Sequence, residues 1–364
     1  MNPPYVYHLI GTMSGSSLDG LDVVYCEMRS EPNYSFKILA SETITYPKEI
    51  QHILANIEVS ILKDYENEHI LFDEISSLGI KTFIEDNNIK KVDFIASHGH
   101  TIFHFPEKNI TCQIGNGKTL VNELHIPVIC NFRQADINAG GQGAPLVPIA
   151  DVLFFPEYSA CLNIGGIANI SFEENGQRIG FDICAANQLL NFCANQIGLE
   201  FDDGGGMAKT GKINEDLLRE LNGFDYFDLP FPKSMDNNFI REHFIPLLAD
   251  NNIYPSDKLA TVTEHIAYQI SNIINRQIEN KNIPKNIYSI LVTGGGAFNT
   301  YLLKRIEQLC GIKITIPDAT LIQYKEAVAM CLMGLLRWEN KPNFLPSVTG
   351  ARMAVSGGDI INVI

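Results

Sequence analysis

YVYHLI-GTMSGSSLDG-LDVVYCEM, residues Tyr5 to Met28, is an apolar run, a polar glycine-rich segment and a second apolar run. That order predicts a hairpin of strands over Tyr5–Ile10 and Leu21–Met28, with Gly11–Gly20 as a loop exposing backbone N–H groups. Ser35–Thr45 reads as a third strand. The pattern returns later in the chain. Ala160–Ile164 is apolar, Gly165 and Gly166 punctuate, and Ile167–Phe172 resumes a strand. Asn175-Gly176 marks a hairpin turn, and Arg178–Ile183 runs toward a helix starting at Asn187. Each half thus opens with antiparallel strands around a polar glycine loop, which points to internal duplication of one α/β unit.

Further elements complete each half. Lys91–Ser97 is a short apolar run ending in the polar cluster His98–Thr101. Leu259, Val262, Ile266, Ile270, Ile273, Ile274 and Ile278 recur at helical spacing. Ser289–Thr293 reads as a buried strand leading through Gly294-Gly295-Gly296 into a helix from about Asn299 to Cys310, and Glu326–Trp338 reads as a helix. The Gly/Pro-rich stretch Ala139–Pro148 places a domain boundary there. It gives a domain over 1–138 and another over 139–364, with the last residues packing back on the first. Two such halves leave a central cleft, where α/β proteins commonly bind ligands.

The chain has 364 residues, 45% apolar and 19% charged, so it can bury a core without metals or disulfides. Its formal net charge of -15 argues against nucleic acid as the main partner. The N-terminus lacks the basic-then-apolar order of a signal peptide. Ala327–Trp338, the most apolar later stretch, is too short to span a bilayer. The 8 cysteines form no C-x-x-C pair and read as reduced, buried thiols. A cytoplasmic enzyme without a membrane partner is the expectation.

Several segments are suited to chemistry, each with a plainer alternative. In Gly11–Asp22 the hydroxyls of Thr12, Ser14, Ser16 and Ser17 and successive N–H groups can cradle phosphate. Asp19 and Asp22 can hold Mg²⁺. The same segment also reads as a decorated turn, and it is not a P-loop. Gly165 and Gly166 supply a second phosphate-facing turn. Gly294, Gly295 and Gly296 offer flat backbone and helix N–H groups to a ligand, or simply join a strand to a helix. Asp182 is placed as a general base, or as a helix-capping residue. His98, His100 and His104 suit a sugar-binding rim or ordinary buried imidazoles better than a metal site. Arg133 and Asp136 are candidates for carbohydrate contacts, with Arg133 as an ordinary interdomain ion pair the alternative.

Taken together, these segments resemble the anhydro-N-acetylmuramic acid kinase family. The match runs in order through GTMSGSSLDGLD, SHGHTI, QIGNG, FRQADINAGGQGAPLVP, NIGGIANI, FDICAAN, DDGGGMAKTG, PKS, TGGGAFN and LPSVTGA. The resemblance implies a duplicated two-domain α/β fold of the actin-like ATPase (ribonuclease H-like) type, with ATP and Mg²⁺ in the cleft. It implies a phosphotransferase that opens the 1,6-anhydro ring of an amino sugar and phosphorylates the 6-position in peptidoglycan recycling. Ser14, Gly15, Ser16, Ser17, Leu18, Asp19, Gly20 and Leu21 match its nucleotide phosphate loop, with Asp19 toward the metal. Asp182 matches its catalytic base. His98, His100, Arg133 and Asn187 are the substrate-side candidates, and a homodimer is implied.

The sequence departs from the family pattern in places. FDICAAN stands where FDTGPGN is usual, and Asn191 stands where an Asp follows. Asn131 replaces an Asp, His100 a Gln, and Met235-Asp236 a Thr-Gly. A kinase of another amino sugar and a nucleotide-gated sugar-binding protein are the competing readings. Retention of Asp182 argues for the enzyme.

Overall fold

The computed structural model describes residues 5–15, 18–30, 33–57, 65–231, 233–249, 252–281 and 288–363. In chain order its strands are β1 (Val6–Ser14), β2 (Gly20–Arg29), β3 (Ser35–Thr45), β4 (Phe94–Phe105), β5 (Ile110–Ile114) and β6 (Val128–Cys130). They continue with β7 (Ala160–Ile164), β8 (Ile167–Glu174), β9 (Gln177–Ala185), β10 (Ile290–Thr293), β11 (Ile314–Thr315) and β12 (Asp359–Ile361). The chain divides into two compact units, residues 1–155 with 324–364, and residues 156–323.

In the first unit β1 pairs antiparallel with β2 and parallel with β4, and the path runs β12-β6-β4-β1-β2-β3. In the second unit β7 pairs antiparallel with β8 and parallel with β10, and the path runs β11-β10-β7-β8-β9. The order 3-2-1-4 with one antiparallel meander is therefore repeated, with β6 and β11 extending each sheet in parallel. This repeat is the duplicated actin-like α/β fold. Each sheet has its own apolar core. The second unit buries Leu162, Ile164, Ile170 and Val292 against Ile266, Ile270 and Ile274 of the long helix Pro255–Lys281. In the first, Leu9, Val24, Phe94 and Ala96 meet Ala327, Cys331 and Leu335 of the helix Ala319–Trp338.

Several expectations change. The boundary falls at 155/156 rather than at 138/139, because Leu146, Ile149 and Ala150 belong to the first unit's core. Strand β1 continues through Gly11–Ser14, so the hairpin connection shrinks to residues 15–19. Gly11 is needed there for packing. A Cβ would collide with the Ala327 carbonyl and lie 2.6 Å from Cys331 Sγ. His98 and His100 lie within β4, not after it. The apolar run ending at Trp338 belongs to a 20-residue helix, long and apolar enough to cross a bilayer, but most of it is buried in the fold. Among the described residues none of the eight cysteines is in a disulfide, and only Cys112 is not buried.

Candidate functional site

In the first unit, Ser14 closes β1 and faces Leu21 of β2. Its hydroxyl accepts from Tyr46 Oη at 2.9 Å and meets His100 Nδ1 at 3.0 Å, with all three side chains buried. Burial lowers the pKa of His100, so a neutral ring accepting the Ser14 proton completes this chain. Ser16 and Ser17 lie outside the described residues. Leu18 takes a left-handed φ of 59°, and its N–H reaches Gly15 O at 3.5 Å. Gly20 and Leu21 are already in β2. A Cβ on Gly20 would lie 2.6 Å from Ile44 O, and Leu21 is core. Gly15, Leu18 and Asp19 are thus the described residues of the connection itself, with Asp19 exposed and its carbonyl accepting from Tyr46 N at 3.2 Å.

Asp22 is half-buried and accepts from Thr43 Oγ1 at 2.6 Å. Burial raises its pKa, the Thr43 bond opposes that, and the nearby Asp19 carboxylate adds to it. Two neighbouring carboxylates of this kind suit a Mg²⁺ ion that keeps water and phosphate oxygens as its other ligands. Among the described residues no group of three or more His, Cys, Asp or Glu is placed to enclose a metal.

His98 and Arg133 form a second cluster. Arg133 Nε donates to His98 Nε2 at 3.0 Å, and a terminal guanidinium nitrogen donates to Gly143 O at 2.9 Å. His98 Nδ1 therefore carries the proton and donates to Gly99 O at 3.1 Å. Burial, then the Arg133 charge, pushes the His98 pKa down to about 3, so this ring stays neutral. Burial also lowers Arg133 to about 10, with the Glu326 charge opposing. Glu326 is solvent-exposed on the helix Ala319–Trp338, yet the dense protein around it raises its pKa against the pull of Arg133 and Lys325. No sequence signal singled out Glu326, because a Glu beside Lys325 at the start of an apolar run reads as an ordinary helix-face charge. Asp136 is not available to a sugar. It is buried, accepting from Gly143 N at 2.8 Å and Thr349 Oγ1 at 2.8 Å.

In the second unit the glycine turns do meet. Gly165 O accepts from Asn187 N at 3.1 Å, Gly166 O accepts from Ala186 N at 2.8 Å, and Asn187 Nδ2 donates to Ile164 O at 3.1 Å. A Cβ on Gly294 would lie 2.6 Å from Asn163 Oδ1, and one on Gly296 would collide with Ile164 Cγ2. These two glycines are explained by strand packing. A Cβ on Gly295 would lie 3.5 Å from Asn187 Nδ2, an ordinary contact without such a conflict. The expected helix N-terminus is not open either: Gly295–Phe298 forms a 3-10 turn, and Asn299 Oδ1 caps the helix Thr300–Cys310 through Leu302 N at 3.0 Å. The segment 202–211, absent from the expected site residues, packs here, with Thr300 Oγ1 donating to Gly204 O at 3.2 Å.

Asp182 is half-buried on β9, beside a bulge that leaves Ile183 unpaired against β8. Its Oδ2 accepts from Met235 N at 3.0 Å and Ser234 Oγ at 3.1 Å. Its backbone N–H donates to Lys233 O at 3.0 Å, and its carbonyl accepts from Tyr226 Oη at 2.7 Å. Burial raises its pKa, and the Met235 and Ser234 bonds oppose the rise. Among the described residues this side chain caps no helix. Ile183, Cys184, Ala185 and Ala186, where the sequence departs from FDTGPGN, are all buried.

The chain matches the family model described as anhydro-N-acetylmuramic acid kinase over residues 7–362. It is 33% identical to the anhydro-N-acetylmuramic acid kinase of Haemophilus influenzae over 388 residues, covering 99% of this chain and 98% of that one. It is 32% identical to the protein of that name from Synechococcus elongatus over 380 residues, covering 97% and 98%. Among solved structures, gluconate kinase from Lactobacillus acidophilus superposes with a TM-score of 0.48 at 12% identity, covering 91% of this chain and 90% of that one, a likeness too distant to carry an argument.

Proposed function

The chain belongs to the anhydro-N-acetylmuramic acid kinase family and is a kinase acting on a small sugar with ATP, and on that premise we propose a hydrolytic phosphorylation with Asp182 as the base. The 6-oxygen of a 1,6-anhydro sugar is tied in the bridge and carries no proton to remove. The proton taken by Asp182 comes instead from a water molecule. That water attacks the anomeric carbon, the bond from this carbon to the bridge oxygen breaks, and the freed 6-oxygen takes the γ-phosphoryl group, releasing ADP. The product is N-acetylmuramic acid 6-phosphate, as peptidoglycan recycling requires. The sugar half parallels an inverting glycosidase, and the phosphate takes the place of its acid. The other half is phosphoryl transfer, governed by positioning and charge.

The carrying observation is the state of Asp182: a half-buried carboxylate with both side-chain hydrogen bonds on Oδ2. Among the described residues Oδ1 makes no hydrogen bond and remains for a substrate water. Gly15, Leu18 and Asp19 are proposed as nucleotide-phosphate contacts, and the Gly165, Gly166 and Gly295 backbone is suited by its chemistry to the same role. Ser14 and His100 brace that loop from inside. Arg133, set by His98, is assigned to the sugar, with Asn187 fixing the second-unit turn. Mg²⁺ would sit at Asp19 and Asp22 and would neutralise phosphate charge.

Purified protein incubated with ATP, Mg²⁺ and either the anhydro sugar or the reducing sugar tests this by product mass. The anhydro sugar alone should gain one water and one phosphoryl group. Phosphorylation of only the reducing sugar would contradict the proposal.

A further inference from the structure

The PKS segment is not explained by nucleotide or sugar binding, yet it adjoins the proposed base. Pro232 lies outside the described residues. The chain around it is anchored on both sides. Phe231 stacks on Phe181 of β9, with ring centres 4.9 Å apart and planes within 8°. Lys233 Nζ donates to Tyr226 O at 2.8 Å and Phe227 O at 3.3 Å, and lies 4.5 Å from the Tyr226 ring centre. Met235 is buried, and Asp236 caps the following helix through Asn238 N and Phe239 N. Between these anchors Ser234 is exposed, and the bond that its side chain makes goes to Asp182 Oδ2.

We propose that Ser234 is a positioning residue for the reaction: its hydroxyl, with Met235 N–H, occupies Oδ2 of Asp182 and so turns Oδ1 toward the water to be deprotonated. This inference rests on Asp182 being the base. A carboxylate on β9 can rotate about its last side-chain bond. Two donors on one oxygen fix that rotation and leave one defined oxygen as proton acceptor. The same donors stabilise the ionised form, which a base needs before it can act. Ser234 touches no reacting atom in this scheme and works through Asp182.

The test measures kcat and KM from pH 5 to pH 9 for wild type, Ser234→Ala and Ser234→Thr, with Asp182→Asn alongside. Ser234 is exposed, so neither change threatens the core. In Ser234→Ala, kcat should fall roughly tenfold, KM for ATP should hold, and the acidic limb should move to higher pH. Ser234→Thr, which keeps the hydroxyl, should recover most of the loss. A wild-type kcat and limb in Ser234→Ala, or a threonine variant no better than the alanine one, overturns the positioning role. Those outcomes leave the base assignment standing if Asp182→Asn is inactive. Turnover retained in Asp182→Asn removes the base and the positioning role together.

Discussion

Arg133 is held in the first unit through single atoms. Its Nε holds the bare nitrogen of His98, and its terminal nitrogen holds Gly143 O. A lysine has one compact ammonium group and cannot serve both directions. Arg133→Lys should raise the KM for sugar roughly tenfold or more while leaving the KM for ATP nearly unchanged. An equal rise in both would detach Arg133 from the sugar. Asp182, Arg133 and His98 could be singled out as candidates, because polar groups of those types flanked by strand-like runs stand out. Their partners were not. Ser234 lies 52 positions from Asp182 in the chain, and Thr349 lies 213 from Asp136, separations that no local pattern reveals.

At the scale of elements, the helix Ala319–Trp338 rests on β1 and β4 through small residues. Gly11 meets Ala327, and Gly334 meets Ala96, where an added Cβ would stand 2.7 Å from the Ala96 methyl. Gly11→Ala forces the helix away from β1 and should cost about 1–3 kcal/mol. Thermal melting would show it as a lowered midpoint, and an unchanged midpoint would mean that the helix shifts freely. The strands and long helices were readable from period and punctuation. The meaning of the glycines was not, since a glycine that admits a ligand and one that admits a neighbouring strand look alike in sequence. Gly294 and Gly296 are of the second kind, and Gly11 admits the helix Ala319–Trp338. Strand β1 also ran further than its apolar residues, because pairing with β2 and β4 carried Thr12 and Ser14 into the ladder.

For the whole molecule, duplication was visible in the repeated glycine hairpins, while the division of the chain was not. A Gly/Pro-rich stretch reads as a linker, yet Gly141 and Gly143 are fastened inside the first unit by Asp136. Stability should depend on pH through both units. His98 and His265 are buried, with pKa values lowered to about 3, by burial and, for His98, next by Arg133. Unfolded histidine titrates near 6.5. Between about pH 6.5 and pH 3 the unfolded chain therefore binds protons that the folded chain refuses, and stability falls as pH drops through that window. His265 Nδ1 donates to Asn222 Oδ1 at 2.7 Å, and among the described residues its buried Nε2 has no partner. Melting midpoints from pH 7.5 to pH 5 should fall, and His265→Gln should flatten the slope. Identical slopes would show that His265 is not among the groups responsible.

The proposed hydrolytic step would leave a stereochemical record at the anomeric carbon. Proton NMR of the reaction as it runs, with the anhydro sugar, ATP and Mg²⁺, reads the first-formed anomer before it equilibrates. Attack by an Asp182-activated water opposite the bridge predicts a 6-phosphorylated sugar that appears first with inverted configuration, and none with Asp182→Asn. A first product of retained configuration, or phosphorylation with the anhydro ring still closed, would contradict the account.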